Sequence, residues 1–178
     1  MRGKIILNLA ISLDGYIATE KGEFGWIVGD GRNKLNTEEG HNFPKFLDRI
    51  DIVVMGHHCF LQGFANDFPA KRIFVATNES KEDEKNIHFI KGNIVNIIKG
   101  EQRKGNNIYL FGGSNVIDSF IKANVIDEYI IGIIPTILGK GIPLFLDNNP
   151  NILLELDKYE IEDGIPLLHY KKRKQAVL

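Results

Sequence analysis

The chain has 178 residues, of which 43% are hydrophobic and 25% charged, and its formal net charge is -1. Its length favours one domain over residues 1–178 with a sizeable core. The near-neutral charge lacks the basic footprint of a nucleic-acid binder, no apolar run approaches the roughly 20 residues of a membrane-spanning helix, and the lone Cys59 rules out an internal disulfide framework and suits a reducing cytoplasm.

In chain order, Met1-Arg2-Gly3-Lys4 leads into a short alternating run rather than a signal-peptide core, so a cytoplasmic protein is expected. Residues 4–13, rich in Ile and Leu, predict a buried strand that Asp14-Gly15 breaks, with Tyr16-Ile17-Ala18 as a short extended continuation. Residues 19–32 carry Gly22, Gly25, Gly29, Gly31 and the only tryptophan, Trp26, and read as a mobile loop over a site. Residues 33–50 are mostly helical in pattern, interrupted by Gly40 and Pro44. A buried strand over 51–55 closes at Gly56, and a short helix follows over 57–64. Strands are expected over 72–76 and 87–90, then a weak helix over 92–99.

The most informative stretch comes next. Ile108-Tyr109-Leu110-Phe111 is an apolar run ending in Gly112-Gly113, followed by Ser114-Asn115 and apolar residues at helical spacing: Val116, Ile117, Phe120, Ile121 and Val125. This is a strand, a glycine pair and a helix, with Ser114 as the expected N-cap. First-turn amides of such a helix form an electropositive cradle, and glycines admit a diphosphate close to the main chain. Gly56 repeats that logic after the earlier strand. Tight turn geometry is the alternative role for these glycines. A strand over 127–134, a glycine-bearing loop over 138–146, and two alternating runs over 152–162 and 165–172 around Asp163-Gly164 complete the pattern. The last pair reads as a β-hairpin, and Lys171-Lys172-Arg173-Lys174 as a solvated basic tail. Strands alternating with helices and a final hairpin predict an α/β fold: a mostly parallel central sheet, an antiparallel C-terminal hairpin, and helices on both faces.

Other chemistry is sparse. There is no G-x-G-x-x-G after the first strand and no P-loop. Asp14 either caps its turn or serves the site as substrate contact, loop anchor or proton donor. Glu38 and Glu39 are positional candidates for a carboxylate near the pocket, or a solvated face. The five histidines show no metal-ligand spacing; His57 and His58 diverge by about 100° on a helix, and no metal is expected. Cys59 has no assignable base, and neither Ser12 nor Ser114 sits in a nucleophile elbow.

Taken in order, Ser12-Leu13-Asp14-Gly15-Tyr16-Ile17-Ala18, Val54-Met55-Gly56, Phe111-Gly112-Gly113-Ser114, and Ile133-Ile134-Pro135-Thr136 running through Leu138-Gly139-Lys140-Gly141-Ile142-Pro143-Leu144-Phe145 form a recognisable series. The chain resembles the dihydrofolate-reductase-like superfamily, and within it the C-terminal reductase domain of the bifunctional riboflavin-biosynthesis deaminase–reductase, over residues 4–170. The resemblance implies a three-layer sandwich, a homodimer, and NADPH bound across the strand ends, with NADH left open. It implies that Ala10 and Ile17 meet the nicotinamide, that Gly56, His57 and His58 lie by the adenosine phosphates, and that Thr77 and Asn78 lie by the adenine ribose. It assigns the diphosphate to Phe111, Gly112, Gly113, Ser114 and Asn115.

Two departures stand out. Family members commonly carry Arg after the Met-Gly pair to meet the 2′-phosphate, where this chain has His57; Lys81 or Lys71 are the nearby substitutes. The Asp-x-Pro-x-Leu stretch that binds the substrate's ribose phosphate is missing after Gly56. The expected function is reduction of a small heterocyclic or aminopyrimidine-like substrate by hydride transfer to a C=N or C=O carbon, beneath a loop bearing Trp26. The alternative is a cofactor-binding sensor or dimeric scaffold without turnover.

Overall fold

A computed structural model describes residues 1–173. Ten strands follow in chain order: β1 (Ile5–Ser12), β2 (Tyr16–Ala18), β3 (Ile52–Gly56), β4 (Arg72–Thr77), β5 (Ile87–Lys91), β6 (Ile108–Gly112), β7 (Glu128–Ile134), β8 (Ile142–Pro143), β9 (Leu154–Glu162) and β10 (Ile165–Lys172). The helices are α1 (Phe43–Asp48), α2 (His57–Leu61), α3 (Ile94–Arg103) and α4 (Ser114–Lys122), with a 3-10 turn at Phe64–Asp67. Eight strands make one sheet in the order β5-β4-β3-β6-β1-β7-β10-β9. It is parallel from β5 to β7, and β10 and β9 close it antiparallel. This is the α/β architecture expected.

Burial explains the sheet. Ile5, Ile6 and Leu7 are all fully buried, because a central parallel strand is covered on both faces. Ile5 and Leu7 join α3 and α4 in one core with Ile98, Ile117 and Phe120. Ile6 joins Val53, Met55, Phe46 of α1 and Phe68 in the other. Each fully buried side chain of this size contributes roughly 1.5–3 kcal/mol.

The Asp163-Gly164 turn forms as expected, with φ of 52° and 73°, the pairing that suits a tight hairpin. Several expectations are corrected. Of residues 33–50, only Phe43–Asp48 is helical, because Pro44 lies in its first turn rather than interrupting it, and Asn42 Oδ1 caps Lys45 N at 2.8 Å. Tyr16–Ala18 does not continue β1; it leaves the main sheet and pairs with β8. The first helix after β3 stops at Leu61, where Gly63 at φ +88° turns the chain into the 3-10 segment. Helix α3 runs to Arg103, beyond the expected end, with Asn93 capping Asn96 N at 3.0 Å. The basic end is no free tail as far as it is described: Lys171 pairs with Asp157 at 2.6 Å and Lys172 donates to the Asn124 carbonyl. Lys174 lies outside the described residues.

Candidate active site

Strands β3 and β6 are neighbours, so their carboxyl ends set Gly56 beside Gly112-Gly113. The glycines meet backbone to backbone. A β-carbon on Gly56 would stand 3.3 Å from Val116 Cγ2 and 3.7 Å from Gly113 Cα. Gly113 also adopts φ +87°, which side chains disfavour. Gly113, not Ser114, is the N-cap of α4, and no side chain caps the helix. Ser114 is spent elsewhere: its hydroxyl donates to the Pro143 carbonyl at 2.7 Å, tying the helix start to β8. The first-turn amides at Ser114, Asn115 and Val116 therefore stay available to an anion. Phe111 is half-buried against Phe64 and Phe68, and Cys59 lies behind Gly112. Burial pushes the Cys59 thiol up, leaving it protonated and inert.

Beside this cradle, α2 opens with His57 and His58, and β4 ends at Thr77. Thr77 is buried, and its hydroxyl accepts the Glu79 amide at 3.1 Å, shaping the turn that carries exposed Asn78. Lys81 reaches back, with Nζ 2.7 Å from His57 Nε2 and 3.3 Å from Glu79. An ammonium can only donate, so His57 Nε2 is the acceptor in this contact. Of Lys81 and Lys71, only Lys81 stands beside His57. Lys71 is committed to the Ile50 carbonyl at 2.8 Å.

The third part lies on β1. Ala10 pairs with Gly132 of β7, so two minimal side chains adjoin on the α1 side of the sheet. Asn8 points to that same face two residues earlier, opposite Ile130. It is 5% exposed and its Nδ2 has no hydrogen-bond partner. Sequence reasoning missed Asn8; its one signal was a lone amide inside an apolar strand. Ile17 on β2 packs toward the α3–α4 core.

Asp14 is held as a loop anchor. Ser12 Oγ donates to its carboxylate at 2.6 Å, and the amides of Leu138 and Gly139 donate at 3.1 and 2.7 Å. The Ser12 hydroxyl, and then those amides, hold its pKa below the usual value. A carboxylate so held carries no proton at neutral pH and anchors the loop before β8.

The loop over residues 19–32, expected to be mobile, is tied at two places. Phe24 packs on Phe64 with centroids 5.4 Å apart, and the Asp30 amide donates to the Asp163 carbonyl at 2.9 Å. Gly29 and Gly164 make that second contact possible, since a β-carbon on either would overlap Asp163 or Asp30. Trp26 is half-buried and bonds the Glu23 carbonyl at 3.2 Å. Glu38 and Glu39 are exposed.

Comparison with known proteins gives the family and the fold. Residues 53–166 match the model of the RibD C-terminal domain. The uncharacterized protein YwjB of Bacillus subtilis (strain 168) is 32% identical over 176 residues, which span 96% of this chain and 98% of that protein. Among solved structures, a putative riboflavin biosynthesis protein from Shewanella sp. PV-4 superposes with a TM-score of 0.78 at 29% identity, covering 98% of this chain and all of that one. Dihydrofolate reductase from Enterococcus faecalis, complexed with NADP(H), gives 0.65 at 17% identity over 98% and 99% of the two chains, a likeness of fold. The chain belongs to the RibD C-terminal domain family and has the dihydrofolate-reductase-like fold.

Proposed function

We propose that this member of the RibD C-terminal domain family is an NAD(P)H-dependent reductase of a small heterocyclic, aminopyrimidine-like substrate, resembling 5-amino-6-(5-phosphoribosylamino)uracil reductase. The observation that carries the reading is the facing pair Gly56 and Gly113, a backbone cradle that any side chain would fill. The family's cofactor, when bound, supplies the hydride. The residues of this chain bind and orient. Phe111, Gly112, Gly113, Ser114 and Asn115 take the diphosphate on main-chain amides. His57, His58, Thr77 and Asn78 line the adenosine end, where Lys81 offers the 2′-phosphate a fixed positive charge and so favours NADPH over NADH. Ala10 and Ile17 border the nicotinamide. The loop with Trp26 excludes water.

Asn8 extends the reading to the substrate. A buried amide with an unused N–H needs an acceptor, and a carbonyl or ring nitrogen of a heterocycle beside Ala10 supplies one. We also propose that two chains pair through the β9–β10 hairpin. Its edge strand leaves Leu156 and Tyr159 exposed, and an uncovered edge invites pairing; light scattering after gel filtration tests this.

Titration with NADPH and NADH, followed by quenching of Trp26 fluorescence, tests the cofactor reading. Loss of reduced-nicotinamide absorbance with aminopyrimidines or pterins then tests turnover. Tight NADPH binding without turnover of any such compound would favour the sensor or scaffold reading; no affinity for either dinucleotide overturns both.

A further inference from the structure

Away from the glycine cradle, a cavity of about 590 Å³ opens between α1 and the hairpin. Glu128 and Lys171, a cross-strand pair at the amino end of β7, line it, so it reaches the opposite end of the parallel strands from the cradle. Three side chains converge on its wall. His169 of β10 sits opposite Ile130, on the α1 side of the sheet. Glu160 of β9 is its diagonal neighbour, since Glu160 pairs with Leu167 and Lys158 with His169. His41 arrives from the segment before α1. That segment is pinned by Thr37, whose amide donates to the Ile161 carbonyl at 2.9 Å and whose hydroxyl accepts the Ile161 amide at 3.0 Å.

One donor atom from each lies within 4.8 Å of the other two. His169 Nε2 is 3.1 Å and His41 Nδ1 3.5 Å from the same oxygen, Glu160 Oε2. The longer separation is too great for a good N–H···O bond. Two donors about 2.1 Å from a tetrahedral ion stand about 3.4 Å apart, and both separations lie near that value. Lys158 Nζ holds the other oxygen, Oε1, at 2.6 Å, which turns Oε2 alone toward the imidazoles. That is the outer-sphere support a monodentate carboxylate ligand uses.

The wall is mixed in charge: Glu39, Glu128, Asp157 and Glu160 stand among Lys4, Lys45, Arg49, Lys158 and Lys171, so it is the ligand set, not the field of the cavity, that favours a cation.

We propose that His41, Glu160 and His169 bind one divalent transition-metal cation of the zinc class, with the remaining coordination positions open to the cavity between α1 and the hairpin. Two imidazoles and a carboxylate with open positions form a ligand set suited to an exchangeable ligand on the metal.

The test is direct titration of the whole chain, freed of any affinity tag, with Zn²⁺ against a chromophoric chelator, and with Co²⁺ followed by its visible bands. The expected result is one ion per chain, bound about tenfold or more weakly by each of His41→Gln and His169→Gln, with the Co²⁺ bands altered or lost. His88→Gln removes a second His–carboxylate pair, His88 with Asp83 at 2.8 Å, and is expected to leave binding unchanged. Circular dichroism of each metal-free variant confirms that it folds. Absence of saturable binding, or one-to-one binding that both His41→Gln and His169→Gln leave intact, overturns the proposal and leaves the trio as a metal-free polar network.

Discussion

Gly56 and Gly113 touch main chain to main chain: a β-carbon on Gly113 would stand 3.4 Å from Gly56 Cα and 3.5 Å from its nitrogen. Gly113→Ala therefore combines an unfavourable φ with the closing of the cradle. It is expected to cost about 1–3 kcal/mol of stability and to weaken NADPH binding about tenfold or more, measured by thermal unfolding and fluorescence titration. Gly113→Asp adds a negative charge beside the diphosphate. If a folded Gly113→Asp chain binds NADPH as well as the parent, the cradle is not the cofactor site.

Lys81 Nζ lies 2.7 Å from His57 Nε2, and the proposed NADPH preference rests on that cation. Lys81→Ala is expected to weaken NADPH about five- to tenfold, an effect of about 1–1.4 kcal/mol, and to leave NADH nearly unchanged, because only NADPH carries the 2′-phosphate. Added salt should weaken NADPH binding to the parent more than to the variant, since salt screens the attraction between an ammonium and a phosphate. Equal losses for both dinucleotides would place Lys81 away from that phosphate.

Asn8 separates stability from turnover. Its buried Nδ2 lacks a partner, and such a group costs about 1–3 kcal/mol. Asn8→Leu, close in volume, is expected to keep or raise the unfolding temperature while lowering kcat/KM by about tenfold or more, with cofactor affinity unchanged. A variant that loses stability and keeps kcat/KM would show that Asn8 serves the core.

How far the fold could be read in advance depended on where its information lies. Strands such as β1 and β3 are apolar runs that declare themselves, and Asp163-Gly164 states its turn. Residues 33–42 do not: their polar pattern looked helical, but the segment is held by contacts far along the chain, Thr37 with Ile161 and Asn36 Oδ1 with the Asp163 amide. The glycine cradle was legible because glycines mark strand ends locally. Asn8 was hidden, since an unpaired amide is defined by what surrounds it. His41 and His169 are 128 positions apart; sheet register sets His169 beside Glu160, and the Thr37–Ile161 hydrogen bonds bring the His41 segment to them.

Asp14 illustrates a role that position alone left open. Its carboxylate anchors the Leu138 and Gly139 amides, and its pKa is lowered chiefly by Ser12. Asp14→Asn is expected to lower the unfolding temperature at neutral pH. The gap should narrow as pH falls below the ordinary carboxylate value of 3.8 and through the lower folded value, because protonation then removes the parent's advantage. The acid limb of the kcat profile should not move. A shifted limb would restore Asp14 as proton donor.

Glu101 is the clearest acid-sensitive support of the fold. It lies on α3, buried, with Lys104 Nζ at 2.6 Å and Arg72 Nη2 at 2.9 Å, and Asn106 Nδ2 at 3.0 Å. The Lys104 hydrogen bond, followed by that of Arg72, outweighs burial and holds its pKa below 4.5. With the folded value depressed, the unfolded chain binds the proton more readily. The stabilisation is therefore complete above the unfolded value and disappears as pH falls through the folded one. Glu101→Gln keeps the shape and removes the charge that joins α3 to β4. It is expected to cost about 1–2 kcal/mol at pH 7 and progressively less below pH 4.5, where the parent carboxyl is itself being neutralised. Urea unfolding of both chains at pH 7 and at pH 3 to 4 measures the difference, and a gap that stays constant across that range would show that the Glu101 charge contributes nothing.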